Sequence, residues 1–346
     1  MNVPNVHEPV LFMRPYCREV LWGGTALRDS FGYEIPSAHT GEAWIVSAVG
    51  EALLAPDDTR APFPYPGESC VLGSSFDGMP LSVLYRERRD LFGGLPSDTF
   101  PLLVKMIDAH DDLSVQVHPD DAYAQRTEGV PYGKNECWYI LDHTPGASII
   151  AGHCAKDRET LTRMIREGDW AHLLKKQEIH TEDFFYIPAG TVHALLRGTL
   201  LLEIQQTSNL TYRLYDYDRV QNGKKRDLHI EKALDVITCP QEVAPLPSGT
   251  GAMPSGRDSC RILLSNRLFR IEEWTMPDLH GGFPFLIRSP RFEIFVITEG
   301  QGHVHYGARM QHSSDIKKGD VFIATAYCDM LRFFGAMKCV TAAIPF

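Results

Sequence analysis

Short runs of β-branched and aromatic residues, broken at intervals by turn residues, limit what this chain can fold into. The runs 101–107 (PLLVKMI), 113–118 (LSVQVH), 136–141 (ECWYIL), 184–187 (FFYI), 199–206 (TLLLEIQQ) and 211–217 (TYRLYDY) have the length and make-up of strands and predict a mainly β fold. Helical spacing interrupts them at 157–167 (DRETLTRMIRE), where Leu161, Met164 and Ile165 share a face and Gly168 supplies a stop. A second short helix is predicted over 169–177 (DWAHLLKKQ) and another over 228–237 (LHIEKALDVI). Residues 240–258 are rich in Pro, Gly and Ser without periodicity and read as a linker or long surface loop. Strand signals resume at 268–275, 292–298, 302–306, 321–325 and 338–343.

The two halves echo each other. ECWYIL (136–141) aligns with EIFVIT (293–298), and EDFFYIPAGTVH (182–193) with GDVFIATAYCDM (319–330). In the second copy Thr325 stands against Pro188, Tyr327 against Gly190 and Met330 against His193, so the apolar pattern stays and the chemistry goes. Two β-barrels account for this. The first spans 1–240 and carries chemistry and a helical insert. A linker follows at 241–258, and a degenerate barrel without metal ligands spans 259–346. A chain of 346 residues suits two such domains.

Composition narrows the partners. The chain is 44% apolar and 23% charged, as globular proteins are, and no apolar run approaches the roughly 20 residues of a membrane helix. Residues 1–24 lack the basic-then-apolar order of a signal peptide. Eight cysteines stand singly with no CxxC pair, which suits reduced thiols in a cytoplasmic protein. A net charge of −10 argues against nucleic acid or an anionic membrane as partner but leaves a small anion open, since one phosphate needs only a few local cations. No obligate protein partner is indicated.

Three polar features stand out in the first barrel. Ser114, Gln116 and His118 alternate onto one face of a strand that Pro119 ends. Glu136 opens an otherwise apolar strand, where a carboxylate lies at the wet rim or binds a cation. Pro188-Ala189-Gly190-Thr191-Val192-His193 folds as a tight turn that brings His193 back toward the barrel interior. His118, Glu136 and His193, with Gln116 as a fourth donor, form a set that zinc accepts; iron, manganese or cobalt would also fit. In TSNLTYRLYDYDR (207–219), strand alternation puts Arg213, Tyr215, Tyr217 and Arg219 on one face, and in the preceding strand Glu203 and Gln205 share a face. These polar side chains suggest a wet, ligand-binding lumen. Lys105, between Leu103 and Ile107, suits either a phosphate ligand or a snorkelling lysine.

GEAWIVS (41–47), PLLVKMIDAHDDLSVQVHPDDAYA (101–124), GKNECWYIL (133–141), FFYIPAGTVHAL (184–195) and LLLEIQQTSNLTYRLYDYDR (200–219) resemble, in order and spacing, the serial motifs of type I mannose-6-phosphate isomerases of the short bacterial branch. The resemblance covers the first two-thirds of the chain. The last third matches more loosely, as that family's second, non-catalytic domain. It implies two cupin-type (jelly-roll) barrels, and one Zn2+ per chain held by His118, Glu136 and His193 with Gln116. It also implies catalytic roles for Arg213 and Lys134, a substrate-facing Ser114, and a sugar phosphate as the small-molecule partner. Glu203 and Lys105 are further lumen residues placed to meet it. The stretch 56–75 departs from the family pattern. The rival readings are a cupin enzyme acting on another sugar and a sugar-binding cupin without catalysis; the absence of a glycine-rich nucleotide loop argues against a nucleotide-sugar transferase fusion.

Overall fold

The computed structural model describes residues 3–50, 65–221, 223–241, 259–287 and 290–345. Most of the expected linker (242–258) and the first part of the departing stretch (56–64) therefore lie outside the described residues. The described residues are mainly strand, arranged as two cupin-type barrels. In the first barrel one sheet runs, in spatial order, Phe184–Ile187, Glu136–His143, Thr199–Gln206, Leu102–Ala109, Thr40–Val46 and Tyr16–Gly24. The other runs Tyr212–Tyr215, Val115–Val117, His193–Leu195, Ser148–His153 and Leu174–Glu178. All the pairings are antiparallel.

Alternation along the strands decides which side chains go where. Ile107, Trp138, Ile140, Ile149, Leu195 and Leu201 form an apolar cluster inside the first barrel. Val115, Val117, Ala194 and Leu214 point outward and meet Leu161, Met164 and Ile165 of helix Arg158–Glu167 and Ala233 of helix Ile230–Val236. Cys137, Tyr139, Val104, Met106, Leu202 and Ile204, on the outer face of the longer sheet, pack with Phe292, Ile294, Val296 and Ile323 of the second barrel. The largest shared core thus lies between the barrels.

Helix Arg158–Glu167 forms where its signals predict. Asp157 caps it by accepting a hydrogen bond from Thr160 N–H at 2.8 Å, and Gly168 closes it at φ 71. The helix expected over 169–177 is only Trp170–Leu173; Leu174–Glu178 is instead a strand paired with Ser148–His153. Edge pairing overrides local propensity there. The strand expected over 211–217 ends at Tyr215, because Tyr217 and Asp218 take left-handed φ of 53 and 55. Tyr217 and Arg219 therefore do not continue the face that carries Arg213. The runs 292–298 and 302–306 form one strand, Glu293–Tyr306, with a register shift between Ile297 and Glu299.

The internal repeat appears in register. Phe184 pairs with Tyr139 and Ile187 with Glu136; at the aligned positions Val321 pairs with Val296 and Ala324 with Glu293. The turn before each pair is also the same. Asp183 accepts a hydrogen bond from His180 N–H at 2.7 Å, and Asp320 accepts one from Lys317 N–H at 2.8 Å. The second barrel's sheet continues past Val321–Ala324 into Val10–Arg14 and Cys70–Leu72, so the start of the chain is hydrogen-bonded to its last third.

Candidate active site

Strand register brings the polar residues together. His193 lies opposite Gln116, and Gln116 lies opposite Arg213 on its other side, so His193, Gln116 and Arg213 form one row across the shorter sheet. Neighbours in such a row stand about 5 Å apart. The facing sheet carries a second row: Lys105 opposite Glu203, and Glu203 opposite Trp138. These neighbours bond directly, Lys105 Nζ to Glu203 Oε1 at 3.0 Å and Trp138 Nε1 to Glu203 Oε2 at 3.1 Å. Trp138 also meets the His193 ring edge-on at 5.4 Å, which links the two sheets.

His118, Glu136 and His193 converge. Each is at most 1% exposed, and one potential ligand atom from each lies within 4.8 Å of the others. Glu136 Oε1 is 3.2 Å from His193 Nε2, and Glu136 Oε2 is 3.5 Å from His118 Nε2. His118 Nδ1 lies 2.7 Å from Leu210 O, and His193 Nδ1 lies 2.8 Å from Thr191 O. A carbonyl only accepts, so each Nδ1 carries the hydrogen and each Nε2 turns its lone pair toward Glu136. Burial pushes the His118 imidazole down to about 3, with the Lys134 charge adding to it, and burial lowers His193 too; both are held in the neutral form that binds metals. Burial opposes ionisation of Glu136, but the Lys134 ammonium beside it outweighs burial and holds the carboxyl well below its usual range.

This set fits a metal ion. Both Glu136 oxygens are buried without a well-angled hydrogen bond, although Lys134 Nζ sits 2.8 Å from Oε2. Gln116 Nε2 lies 3.3 Å from His193 Nε2, and a turn of that amide would offer its oxygen at the same place. Two imidazoles and one carboxylate match the three protein donors of catalytic zinc sites, and the Gln116 amide oxygen could add a fourth.

A cavity of about 930 Å3 opens beside the trio, with Ser114, Gln116, Lys134, Glu203, Lys105 and Arg213 in its wall. The nine expected site residues therefore come together, six around the cavity and three in the buried trio. The structure also sharpens individual expectations. Lys105 is buried against Glu203 and over Trp44 at 5.2 Å, so its charge is already paired. Lys134 is held above its ordinary pKa, because Glu136 and Glu203 overcome burial. Arg213 is half-buried and donates from its guanidinium to Asp227 O at 2.8 Å.

Sequence reasoning did not single out Arg18 and Glu42, which also line the cavity. Glu42 accepts from Trp44 Nε1 at 2.6 Å and pairs with Arg18 at 3.2 Å. Its signal was a glutamate in the apolar strand run GEAWIVS, the same anomaly that marked Glu136.

Comparison with known proteins agrees with this geometry. Residues 11–152 match the family model for the type I phosphomannose isomerase catalytic domain. The chain is 40% identical to a mannose-6-phosphate isomerase of Streptococcus mutans over 336 residues, covering 97% of this chain and 98% of that one. It is 39% identical to the mannose-6-phosphate isomerase ManA of Bacillus subtilis over 341 residues, again covering 97% and 98%. The crystal structure of a Bacillus subtilis mannose 6-phosphate isomerase superposes with a TM-score of 0.85 at 38% identity, covering 97% of this chain and 100% of that one. The identity over nearly the whole length, and the shared fold, place this chain in the type I mannose-6-phosphate isomerase family.

Proposed function

We propose that this chain interconverts mannose 6-phosphate and fructose 6-phosphate as a zinc-dependent aldose–ketose isomerase. The observation that carries the reading is the buried His118–Glu136–His193 trio beside a cavity walled by Lys134, Glu203 and Arg213. His118, Glu136, His193 and Gln116 would hold the zinc, which when bound supplies a Lewis acid for negative charge on the sugar oxygens.

The reaction passes through an enediol. A proton leaves carbon 2 of the aldose for a base, O1 gains a proton, O2 then loses one, and carbon 1 receives one. Arg213 stays protonated and serves as the fixed positive charge that stabilises the enediolate and orients the sugar. Lys134, held as an ammonium by Glu136 and Glu203, donates to a developing oxyanion and returns protons to oxygen. Glu203, fixed by Lys105 and Trp138, presents a carboxylate to the cavity, and Ser114 offers a hydroxyl. Lys105 and Glu203 then act as one buried pair that binds sugar hydroxyls, rather than Lys105 gripping phosphate alone.

The test uses one purified sample. Metal content is measured beside turnover of mannose 6-phosphate in a coupled assay, before and after chelation and after re-addition of zinc. Turnover that follows bound zinc supports the reading. A protein that binds no metal, or that turns over unchanged when stripped, refutes it.

A further inference from the structure

The three segments that bear His118, Glu136 and His193 are tied into a closed ring by hydrogen bonds that need no ion. Lys134 N–H donates to Pro119 O at 3.0 Å and Gly133 N–H to Asp121 Oδ1 at 2.9 Å, joining the Glu136 limb to the His118 limb. Gly190 N–H donates to His118 O at 2.9 Å, joining the His193 turn to the His118 limb. On the third side, strand pairing ends where Ile187 meets Glu136. Past that point the turn leaves the sheet, and a side chain takes over.

That side chain is Asn135, which is 8% exposed. Its Oδ1 accepts from Ala189 N–H at 3.0 Å and from Tyr186 O–H at 3.2 Å. Its Nδ2 donates to Gln206 Oε1 at 2.7 Å, and the same oxygen accepts Asn135 N–H at 3.0 Å. Gln206 Nε2 in turn donates to Asp121 Oδ1 at 3.0 Å. The backbone donors at 135 and 189 fix which way both amides face, since each must find an oxygen. One amide therefore touches the His193 turn directly and reaches the His118 limb through Gln206.

We propose that Asn135 is a positioning residue that sets the separation of Glu136 and His193 before a metal ion arrives. The inference rests on the metal-binding reading above. The position needs two acceptor lone pairs on one side and a donor on the other, at the reach of an asparagine. Alanine supplies neither. Methionine at 206 keeps the volume and removes the link from Asn135 to Asp121.

The test measures Zn2+ affinity of stripped protein by competition with a chromophoric chelator, and the visible absorption of the Co2+-loaded protein. The wild type, N135A, Q206M, the double variant, and Y33F are compared. Tyr33→Phe removes a part-buried hydroxyl that donates to Gly319 O and reaches Met106 Sδ, away from the trio, and controls for general loss of stability. N135A is expected to weaken Zn2+ binding by roughly 10- to 100-fold, as loss of an outer support does, and to alter the Co2+ bands. Q206M should act in the same direction, and the double variant should lose less than the product of the two, because both cut one network. Y33F should leave affinity and bands as in the wild type. Native-like affinity in N135A overturns the proposal, as does a loss in Y33F equal to that in N135A. If N135A does not fold, Q206M decides by the same measure. A wild type with no Zn2+ affinity would instead refute the functional reading itself.

Discussion

Each histidine of the trio gives its Nδ1 hydrogen to a backbone carbonyl, so neither ring is free to turn its Nε2 away from Glu136. Loss of either ring removes a donor that no described neighbour replaces in the trio. His118→Ala and His193→Ala are expected to bring bound zinc and turnover to background together, read by metal analysis and coupled assay. Arg213→Ala should keep its zinc and lose turnover by about 100- to 1,000-fold, the cost of one oxyanion-stabilising donor. Release of metal from Arg213→Ala would overturn that division of roles. Glu42 gives a pH prediction. Burial opposes its ionisation, yet Arg18, Lys105 and Trp44 bring its pKa from 4.5 to about 2. Between those values the unfolded chain binds the extra proton, so this contribution to stability is full above about pH 4.5 and fades toward pH 2. It is on the order of 3 kcal/mol. Urea midpoints measured from pH 6 down to pH 3 should fall less steeply in Glu42→Gln than in the wild type. The trio was legible because each member is anomalous in its local pattern. Asn135 and Gln206 were not, since a buried amide network leaves no periodicity in the sequence.

At the scale of elements, the turn from Pro188 to His193 does most to aim a ligand. Gly190 sits at φ +86, and a Cβ there would meet Thr238 Oγ1 at 2.5 Å and Val236 O at 2.9 Å. Gln241 holds the same turn from outside, donating to Gly190 O at 3.1 Å and accepting from Val192 N–H at 3.3 Å. Gly190→Ala combines left-handed strain, worth about 1–3 kcal/mol, with a backbone clash. It should lower thermal stability and weaken zinc retention together, measured by calorimetry with and without metal. Helix Arg158–Glu167 was legible because its cap, apolar face and stop all agree. Strand Leu174–Glu178 was not, because only its pairing with Ser148–His153 makes it a strand. The end of strand Tyr212–Tyr215 was hidden for another reason. Tyr217 and Asp218 adopt left-handed backbone without being glycine, and Asp216 is buried there between Arg219 and Arg226. A folded-back ion cluster of that kind has no signature in residue alternation.

At the scale of the whole molecule, the second barrel supports the first. Phe292 packs on Phe100 at 4.8 Å and on Phe92 at 6.0 Å, within the core shared by the two. Tyr139, three residues along the strand from Glu136, donates to Glu273 Oε2 at 2.6 Å, and Arg261 pairs with the same oxygen at 2.6 Å. Phe292→Ala should cost about 3–5 kcal/mol. Urea unfolding followed by fluorescence and by circular dichroism should still give one coincident transition, since the shared core couples the halves. Two separated transitions in the wild type would contradict that coupling. The internal repeat was legible in the aligned motifs, and the repeated register bears out the similarity. The crossing of the sheet into Val10–Arg14 was not, because a strand's partner across roughly three hundred positions is invisible in local pattern. That crossing governs how the protein is made. On the ribosome the strand at 10–14 emerges long before residues 321–324, and the edge they cover stays open until they follow it out of the exit tunnel, while Cys70–Leu72 can take the other edge. A nascent chain stalled before that point exposes a sticky edge to chaperones and to other nascent copies, so the last third of the chain shields a strand made long before it.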